Sequence, residues 1–230
     1  MPLVSIIMPV FNLLDYTKIA IDSIRRFTDA PYELIVVDNA SSDETPGYLA
    51  TQSDLVVIRN TENLGHAGGT NVGMLASHGD YLVGINNDAV ATSNWLSNLL
   101  LCAESDERIG LVSPVTNYIG NPEQRVRVSF DNLEDMQEFA VSFNRSDPSK
   151  WMDHDPFGFC FMVKRKVVEE VGYLSEDNDL GLGDDIEYNI RLRRAGYRCV
   201  LARDTFVYHF GSRTFRRVWA SRASAGGEPG

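Results

Sequence analysis

The run Gly183-Asp184-Asp185-Ile186-Glu187 places three carboxylates in what reads as the first turn of a helix. Acids there complement the positive end of the helix dipole. Capping accounts for one of the three, and like charges this close push one pKa upward, as a general base near neutrality requires. Glycines at 181 and 183 leave the approach open. A second candidate, Asn86-Asn87-Asp88, follows an apolar run, so a strand would present its carboxylate rigidly. Such a carboxylate can hold Mg2+ or Mn2+ together with the oxygens of a pyrophosphate; the same tripeptide would also close the strand as an Asx turn. Asn63 to Asn71 is a glycine-rich loop opening a helix, which lets backbone approach a ligand closely. It matches neither the phosphate loop of ATPases nor the GxGxxG fingerprint of dinucleotide sites, which disfavours both. His66 within it reads as a surface residue. His209, in TFVYHFGSRTF, reads as a core or rim histidine, with a metal or phosphate contact as the sharper alternative. Gly211, Ser212 and Arg213 beside it would suit a phosphate. No Ser-His-Asp or Cys-His spacing supports hydrolase chemistry.

The elements that must position these groups alternate. Buried strands are expected at Leu3 to Pro9, Glu33 to Val37, Leu55 to Arg59, Tyr81 to Ile85 and Gly110 to Ser113. Helices are expected between them: around Tyr16, Ala20, Ile24 and Phe27; through Tyr48 and Leu49, with Ser41, Ser42 and Asp43 as N-caps; after the glycine-rich loop; and at Trp95 to Ala103. Strands alternating with helices imply parallel pairing and a sheet covered on both faces. Ligands then bind beyond the carboxyl ends of the strands, where this chain keeps Asn12, Asp38-Asn39, Asn60 to Asn63 and Asn86 to Asp88. The second half begins with a polar excursion, Asn117 to Lys150, carrying a helix at Leu133 to Phe143. A strand at Phe157 to Lys164, helices at Lys166 to Val171 and Asp184 to Ala195, and strands at Cys199 to Ala202 and Thr205 to His209 complete it.

The chain has 230 residues, 43% of them hydrophobic and 23% charged, enough for a full core and unlike a disordered or disulfide-scaffold composition. No apolar run approaches the roughly 18 residues of a membrane span, and the N-terminus lacks the basic region of a secretory signal. A net charge of −11 argues against nucleic acid as a partner. The charge is uneven: residues 191 to 222 hold nine arginines and one acid, a formal +8 that leaves −19 for the remainder. That end is suited to phosphates or an anionic surface. Cys102, Cys160 and Cys199 sit among apolar neighbours and read as buried free thiols of a reducing compartment.

Five segments in order, VSIIMPVFN, ELIVVDNASSDET, NTENLGHAGGTNVGM, YLVGINNDAV and GDDIEYNIRLRRAGY, closely resemble glycosyltransferase family 2, over roughly residues 3 to 115 and 157 to 212. The resemblance implies an α/β GT-A fold: a Rossmann-like, mostly parallel central sheet with helices on both faces and a smaller acceptor-side subregion. It implies one domain over residues 1–212, with a nucleotide-sugar half at 1–115 and an acceptor half at 116–212; the low-complexity end ASRASAGGEPG makes 213–230 a basic tail expected to be flexible. The implied donor is a UDP-, GDP- or dTDP-sugar, the cofactor a divalent metal (Mn2+ or Mg2+), and the outcome inversion at the anomeric carbon. By position, Pro9, Phe11, Asn12 and Asp38 fall where the family holds the nucleoside, and Asn39 replaces a frequent second aspartate. Gly65, Gly68 and Asn71 match the loop bordering the donor. Asn86-Asn87-Asp88 aligns with the DxD motif, making Asp88 the expected metal ligand, while Asn86 in place of the first aspartate leaves one charge fewer. Asp184 and Asp185 align with the acidic pair before the last helix, with Asp185 the expected catalytic base and Glu187 where the family often has aspartate. His209 matches a C-terminal histidine that completes the metal or diphosphate site in related enzymes, and Arg213, Arg216 or Arg217 could add positive charge.

The acceptor implied is a hydroxyl of a surface glycan, lipid-linked oligosaccharide or similar glycoconjugate, shaped by residues 117 to 156. The processive QxxRW pattern is missing, so single, distributive additions are expected. The implied location is cytoplasmic, with peripheral contact at the inner membrane face open to the arginine-rich end, and the C-terminus is compatible with a domain cut from a longer chain. Two other classes compete. A non-catalytic nucleotide-sugar-binding module would need neither Asp88 nor Asp185. A sugar nucleotidyltransferase would want an early glycine-rich basic loop, which residues 8 to 16 do not supply.

Overall fold

In the computed structural model, which describes residues 1–177 and 183–211, the chain runs β1 (Val4–Val10), α1 (Leu14–Phe27), β2 (Tyr32–Asp38), α2 (Thr45–Leu49), β3 (Val56–Arg59), α3 (Gly65–Ala76), β4 (Tyr81–Ile85), β5 (Ala89–Val90), α4 (Trp95–Glu104), β6 (Ile109–Val115) and α5 (Leu133–Phe143). After one 3-10 turn, Pro148–Lys150, come β7 (Trp151–Asp153), β8 (Cys160–Lys164), α6 (Arg165–Val171), α7 (Asp184–Arg194), β9 (Arg198–Phe206) and β10 (Tyr208–His209). Eight strands form one sheet in the order β3-β2-β1-β4-β8-β6-β9-β7. Pairing is parallel between β1 and β2, β1 and β4, β2 and β3, and β6 and β9. Strand β8 enters antiparallel between β4 and β6, and β7 pairs antiparallel at the far edge. The all-parallel pairing expected for the alternating units therefore holds for the first four strands in space and is broken by β8.

The burial follows from composition. All seven residues of β1, VSIIMPV, are buried, as a strand covered on both faces requires. On one face Ile6, Met8 and Val10 pack with Ala20, Ile21 and Ile24 of α1 and with Trp95, Leu96 and Leu99 of α4. On the other, Ile7, Ile35 and Val37 pack with Met74 of α3, Val167 and Val168 of α6, and Tyr188 and Leu192 of α7. A third cluster gathers Met136 and Ala140 of α5 with Phe206, Phe130, Phe139 and Phe143, so the excursion after β6 has its own aromatic core. Helix α7 ends as its sequence says it should, with Gly196 at φ 87° closing the last turn.

Three local expectations are corrected. The glycine-rich segment is helix rather than loop from Gly65 onward, and its inner glycines serve packing: a Cβ on Gly69 would meet Asn39 Nδ2 and Pro9, and one on Gly73 would overlap the Ile7 methyl. The strand expected from Phe157 begins only at Cys160, leaving 157–159 as irregular backbone. The two strands expected at the end divide elsewhere, into β9 through Phe206 and the short β10. The strands β5 and β7 carry no periodic signal, being two and three residues long.

Gly73→Ala should destabilise the fold by about 1–3 kcal/mol, because Ile7 is fully buried and cannot retreat. Gly47→Ala, where a Cβ meets nothing, should instead gain about 0.5–1 kcal/mol from lower backbone entropy in the unfolded chain and better helix propensity. Urea denaturation of the two variants checks the contrast.

Candidate functional site

Strand β4 runs straight into the turn at 86–88, which closes when the Ala89 amide donates to the Asn86 carbonyl at 3.0 Å. The Asn86 amide donates to the Phe159 carbonyl at 2.9 Å, and Asn87 Nδ2 donates to Thr17 Oγ1 of α1 at 3.1 Å. Asp88 is thereby held buried, and its Oδ1 lies 3.1 Å from His209 Nε2. His209 arrives on β10, which pairs antiparallel with β5 with His209 opposite Ala89. On its other side the Asn117 side chain behaves like a third strand, accepting from the His209 amide and donating to its carbonyl. His209 Nδ1 sits 2.9 Å from the Tyr118 carbonyl. A carbonyl only accepts, so Nδ1 carries a proton and Nε2 is the nitrogen turned to Asp88. The ring stacks on Phe159 with centroids 5.2 Å apart. A carboxylate oxygen and an imidazole nitrogen at this separation, with the far ring nitrogen tied to a carbonyl, fit a divalent cation. Among the described residues no group of three His, Cys, Asp or Glu could hold a metal.

The acids of α7 divide their work. Glu187 is committed to Arg191 at 2.7 Å, and Arg191 also donates to the Val171 and Tyr173 carbonyls. Asp184 is buried, with Oδ2 3.1 Å from His66 Nδ1. Asp185 is half-buried; its Oδ2 accepts from the Gly158 amide at 2.9 Å and its Oδ1 from the Ile186 amide at 2.8 Å. The segment 157–159 thus touches both clusters, Gly158 at Asp185 and Phe159 at Asn86 and His209. It is fixed in turn by Gln124, fully buried, which accepts from the Phe157 amide and donates to the Phe157 carbonyl. A small cavity lined by His66, Gly158, Phe161, Asp184, Asp185 and Tyr188 lies beside this acid pair.

At the other end of the crevice, Asp38 closes β2. Its Oδ1 accepts from the Ser41 amide, while buried Oδ2 has no hydrogen-bond partner and faces Arg59 Nε at 3.5 Å. Pro9 is buried at the end of β1 and Phe11 is half-buried just beyond it. Three of the amides expected around the donor are internal ties. Asn12 (φ 56°) accepts from the Ser42 and Asp43 amides; Asn39 donates to the Gly65 carbonyl and accepts from Asn60; Asn71 brackets Leu174 through both its backbone groups and reaches Glu176. Gly65 turns the chain into α3 at φ 73°, and Gly68 packs against Leu64 and Glu176. Gly181, Ser212, Arg213, Arg216, Arg217 and Arg222 lie outside the described residues.

Residues 5–172 match glycosyl transferase family 2. The chain belongs to that family. Among curated relatives of this family 2 protein, a glycosyltransferase of Haloferax volcanii, AglE, is 24% identical over 215 residues, covering 91% of this chain and 67% of its own length. The pre-mycofactocin glycosyltransferase of Mycobacterium tuberculosis is 25% identical over 226 residues, covering 95% of this chain and 45% of the relative. Among solved structures, a mannosyltransferase from Pyrobaculum calidifontis in complex with GDP-Man and Mn2+ superposes with a TM-score of 0.69 at 22% identity, covering 100% of this chain and 66% of that one. GalNAc-T7 with UDP, GalNAc and Mn2+ gives 0.71 at 16%, covering 91% and 44%. These likenesses establish the GT-A glycosyltransferase fold, and the chain spans from about half to two thirds of the length of these proteins. Among the described residues no helix is long and apolar enough to cross a membrane.

Four site residues of this family 2 chain escape a reading of its sequence. Asn117, Tyr118 and Gln124 lie in the excursion, whose irregular pattern gives no periodic signal. His66, which reads as a surface residue, is a partly buried partner of Asp184. The three cysteines are buried free thiols, with burial pushing Cys102 and Cys199 up to about 12 and Cys160 higher.

The pairing of His66 makes a pH prediction. Burial opposes the charged ring, but the hydrogen bond and charge of Asp184, with Asp185 and Asn86 adding to them, raise its pKa above the ordinary 6.5. A group raised on folding stabilises fully below its unfolded pKa and loses that contribution as pH climbs through the folded one. His66→Gln should be less stable than the parent by on the order of 1 kcal/mol near pH 6, and the gap should shrink by about pH 9. Urea denaturation at the two pH values measures this; a gap that grows with pH contradicts the ion pair.

Proposed function

We propose that this chain transfers a glycosyl group from a nucleoside-diphosphate sugar to a hydroxyl of a glycan or glycolipid, with inversion at the anomeric carbon. The observation that carries this reading is the juxtaposition of two stations by the segment 157–159: Asp88 with His209 on one side, and the amide-held Asp185 on the other. Asp88 Oδ1 and His209 Nε2 would hold a divalent cation, Mn2+ or Mg2+. When bound, that ion neutralises charge developing on a departing diphosphate.

The chain's own residues supply the rest. Asp185 accepts the proton of the acceptor hydroxyl, whose oxygen bonds to the anomeric carbon while the carbon–phosphate-oxygen bond breaks and its electron pair leaves with the diphosphate. One carboxylate suffices, because a single displacement needs one base and no covalent intermediate. The amides of Gly158 and Ile186 hold both Asp185 oxygens, fixing the direction of the carboxylate before the acceptor arrives. Asp38 Oδ2, buried without a hydrogen-bond partner, is the natural acceptor for an N–H of the donor's base. In this reading residues 1–115 carry the donor and 116–212 the acceptor, one sugar is added per encounter, and the work is done on the cytoplasmic side. The Mn2+ complexes of the two structural neighbours, with GDP-Man and with UDP and GalNAc, support a nucleotide-sugar donor; UDP-, GDP- and dTDP-sugars are the candidates to screen.

A thermal-shift screen of these donors should give one nucleotide whose stabilisation depends on Mn2+, and His209→Ala should remove most of that dependence. Asp185→Asn should lower turnover about 10^2–10^4-fold while leaving the donor-induced shift in place. Transfer that survives Asp185→Asn overturns the assignment of the base. Donor binding by the parent chain with no turnover would favour a binding module instead.

A further inference from the structure

The contact between His66 and Asp184, which joins two helices framing the crevice, is not used by the reaction as just derived. His66 is the second residue of α3 and Asp184 the first of α7, 118 positions apart in the chain. Asp184 is 5% exposed, whereas the His66 side chain is 28% exposed. The other end of the same link is equally firm. The Gly65 carbonyl, next to His66, accepts from Asn39 Nδ2 at 2.9 Å, and Asn39 stands beside Asp38 at the end of β2. A continuous path therefore runs from the end of β2 through Gly65 and His66 to Asp184, and one residue further to Asp185.

Resting on the reading that Asp185 is the base, we infer that His66 is a positioning residue: by binding Asp184 it fixes the N-terminus of α7 against α3, and so sets where the Asp185 carboxylate stands relative to the donor. Asp184 is then the anchor of α7 and Asp185 the group free to take a proton. The charged and polar groups facing the ring are Asp184 and Asp185 from α7 and Asn86 from the turn after β4, all of which favour its protonated form; Glu187 is engaged by Arg191 on the same helix. Losing the ring's proton would loosen the strap, so turnover should have an alkaline limb that belongs to His66. A residue that merely filled space would bring no such limb. Geometry of this kind acts on the transition state more than on donor affinity, since misplacing a base by about 1 Å costs on the order of 10^2-fold in rate.

The test uses nucleoside-diphosphate release from UDP-glucose, GDP-mannose and dTDP-glucose with Mn2+, water serving as the acceptor, together with NMR titration of the histidine rings. His66→Phe should lower kcat about 10–100-fold with donor KM changed less than about threefold, and remove the alkaline limb. His66→Gln, which keeps a donor for Asp184, should recover part of kcat. Asp184→Asn should reproduce the loss, move the His66 ring titration to lower pH, and combine with His66→Phe less than additively. The inference is overturned if His66→Phe keeps kcat within twofold while Asp185→Asn is inactive, or if Phe and Gln lose rate equally. It also falls if the ring titrates identically in the Asp184→Asn variant, a readout that needs no turnover. Retained activity in Asp185→Asn would overturn the underlying assignment of the base instead, and absence of Mn2+-dependent turnover in the parent chain would overturn both.

Discussion

The crevice depends on three residues of irregular backbone staying in one place. Backbone that belongs to no helix or strand must still pair its N–H and C=O groups wherever it is shielded from water. At Phe157, which is itself partly exposed, that pairing comes from the carboxamide of Gln124, whose one side chain both accepts from and donates to its backbone. Gln124 is itself braced by Ser113 Oγ at 2.8 Å, inside β6. The segment's remaining groups are then free to be spent on the site: the Gly158 amide on Asp185, the Phe159 carbonyl on the Asn86 amide, and the Phe159 ring on His209. A buried polar residue with every bond satisfied specifies one arrangement, because any other leaves a group unpaired at about 1–3 kcal/mol.

The topology explains why this segment is at the right rim. Strand β4 ends at Ile85, and Ile85 pairs with Cys160, the first residue of β8. Because β8 runs antiparallel, the residues just before it lie at the same end of the sheet as those just after β4. A parallel β8 would have delivered 157–159 to the opposite end, away from Asp88. The one departure from parallel pairing inside the sheet is therefore what brings the excursion's contribution to the crevice. Helix α7 obeys the same logic: it ends just before β9, whose first residue, Arg198, pairs with Ile109 at the start of β6, so its N-terminus points back to the rim.

Much of this was legible in the residues and some could not be. The apolar run of β1 and the spacing of Ala20 and Ile24 in α1 declare their elements, because burial on a fixed period is a property of the local sequence. So do the polar strand ends, since a parallel sheet admits ligands only there. The five motifs in order gave the family. Hidden were contacts made once, across long separations: Asn117 acting as a strand beside His209, Gln124 satisfying Phe157, His66 reaching Asp184. None has a period, and each residue type is ordinary on a surface. The glycine-rich segment misled for a different reason. Glycine permits close approach without saying of what, and here Gly69 and Gly73 admit the sheet rather than a ligand.

The amides and acids of the site sort by the same test, whether their polar atoms are already spoken for. Asn12, Asn39 and Asn71 have used their side chains on the protein, so a substitution at any of them acts first on the shape of the crevice. Asp38 keeps one buried oxygen with no hydrogen bond, and Asp185, whose oxygens accept from the Gly158 and Ile186 amides, lines the cavity from a helix N-terminus whose dipole favours its charge. His66 is the converse case, an imidazole at the N-terminus of α3, where the dipole opposes its charged form. A charge against the local field persists only where a partner outweighs that field, and Asp184 is buried at hydrogen-bond distance to do so. Each helix end is thereby completed by the other, and the two halves of the crevice are held together by a bond that neither helix would form alone.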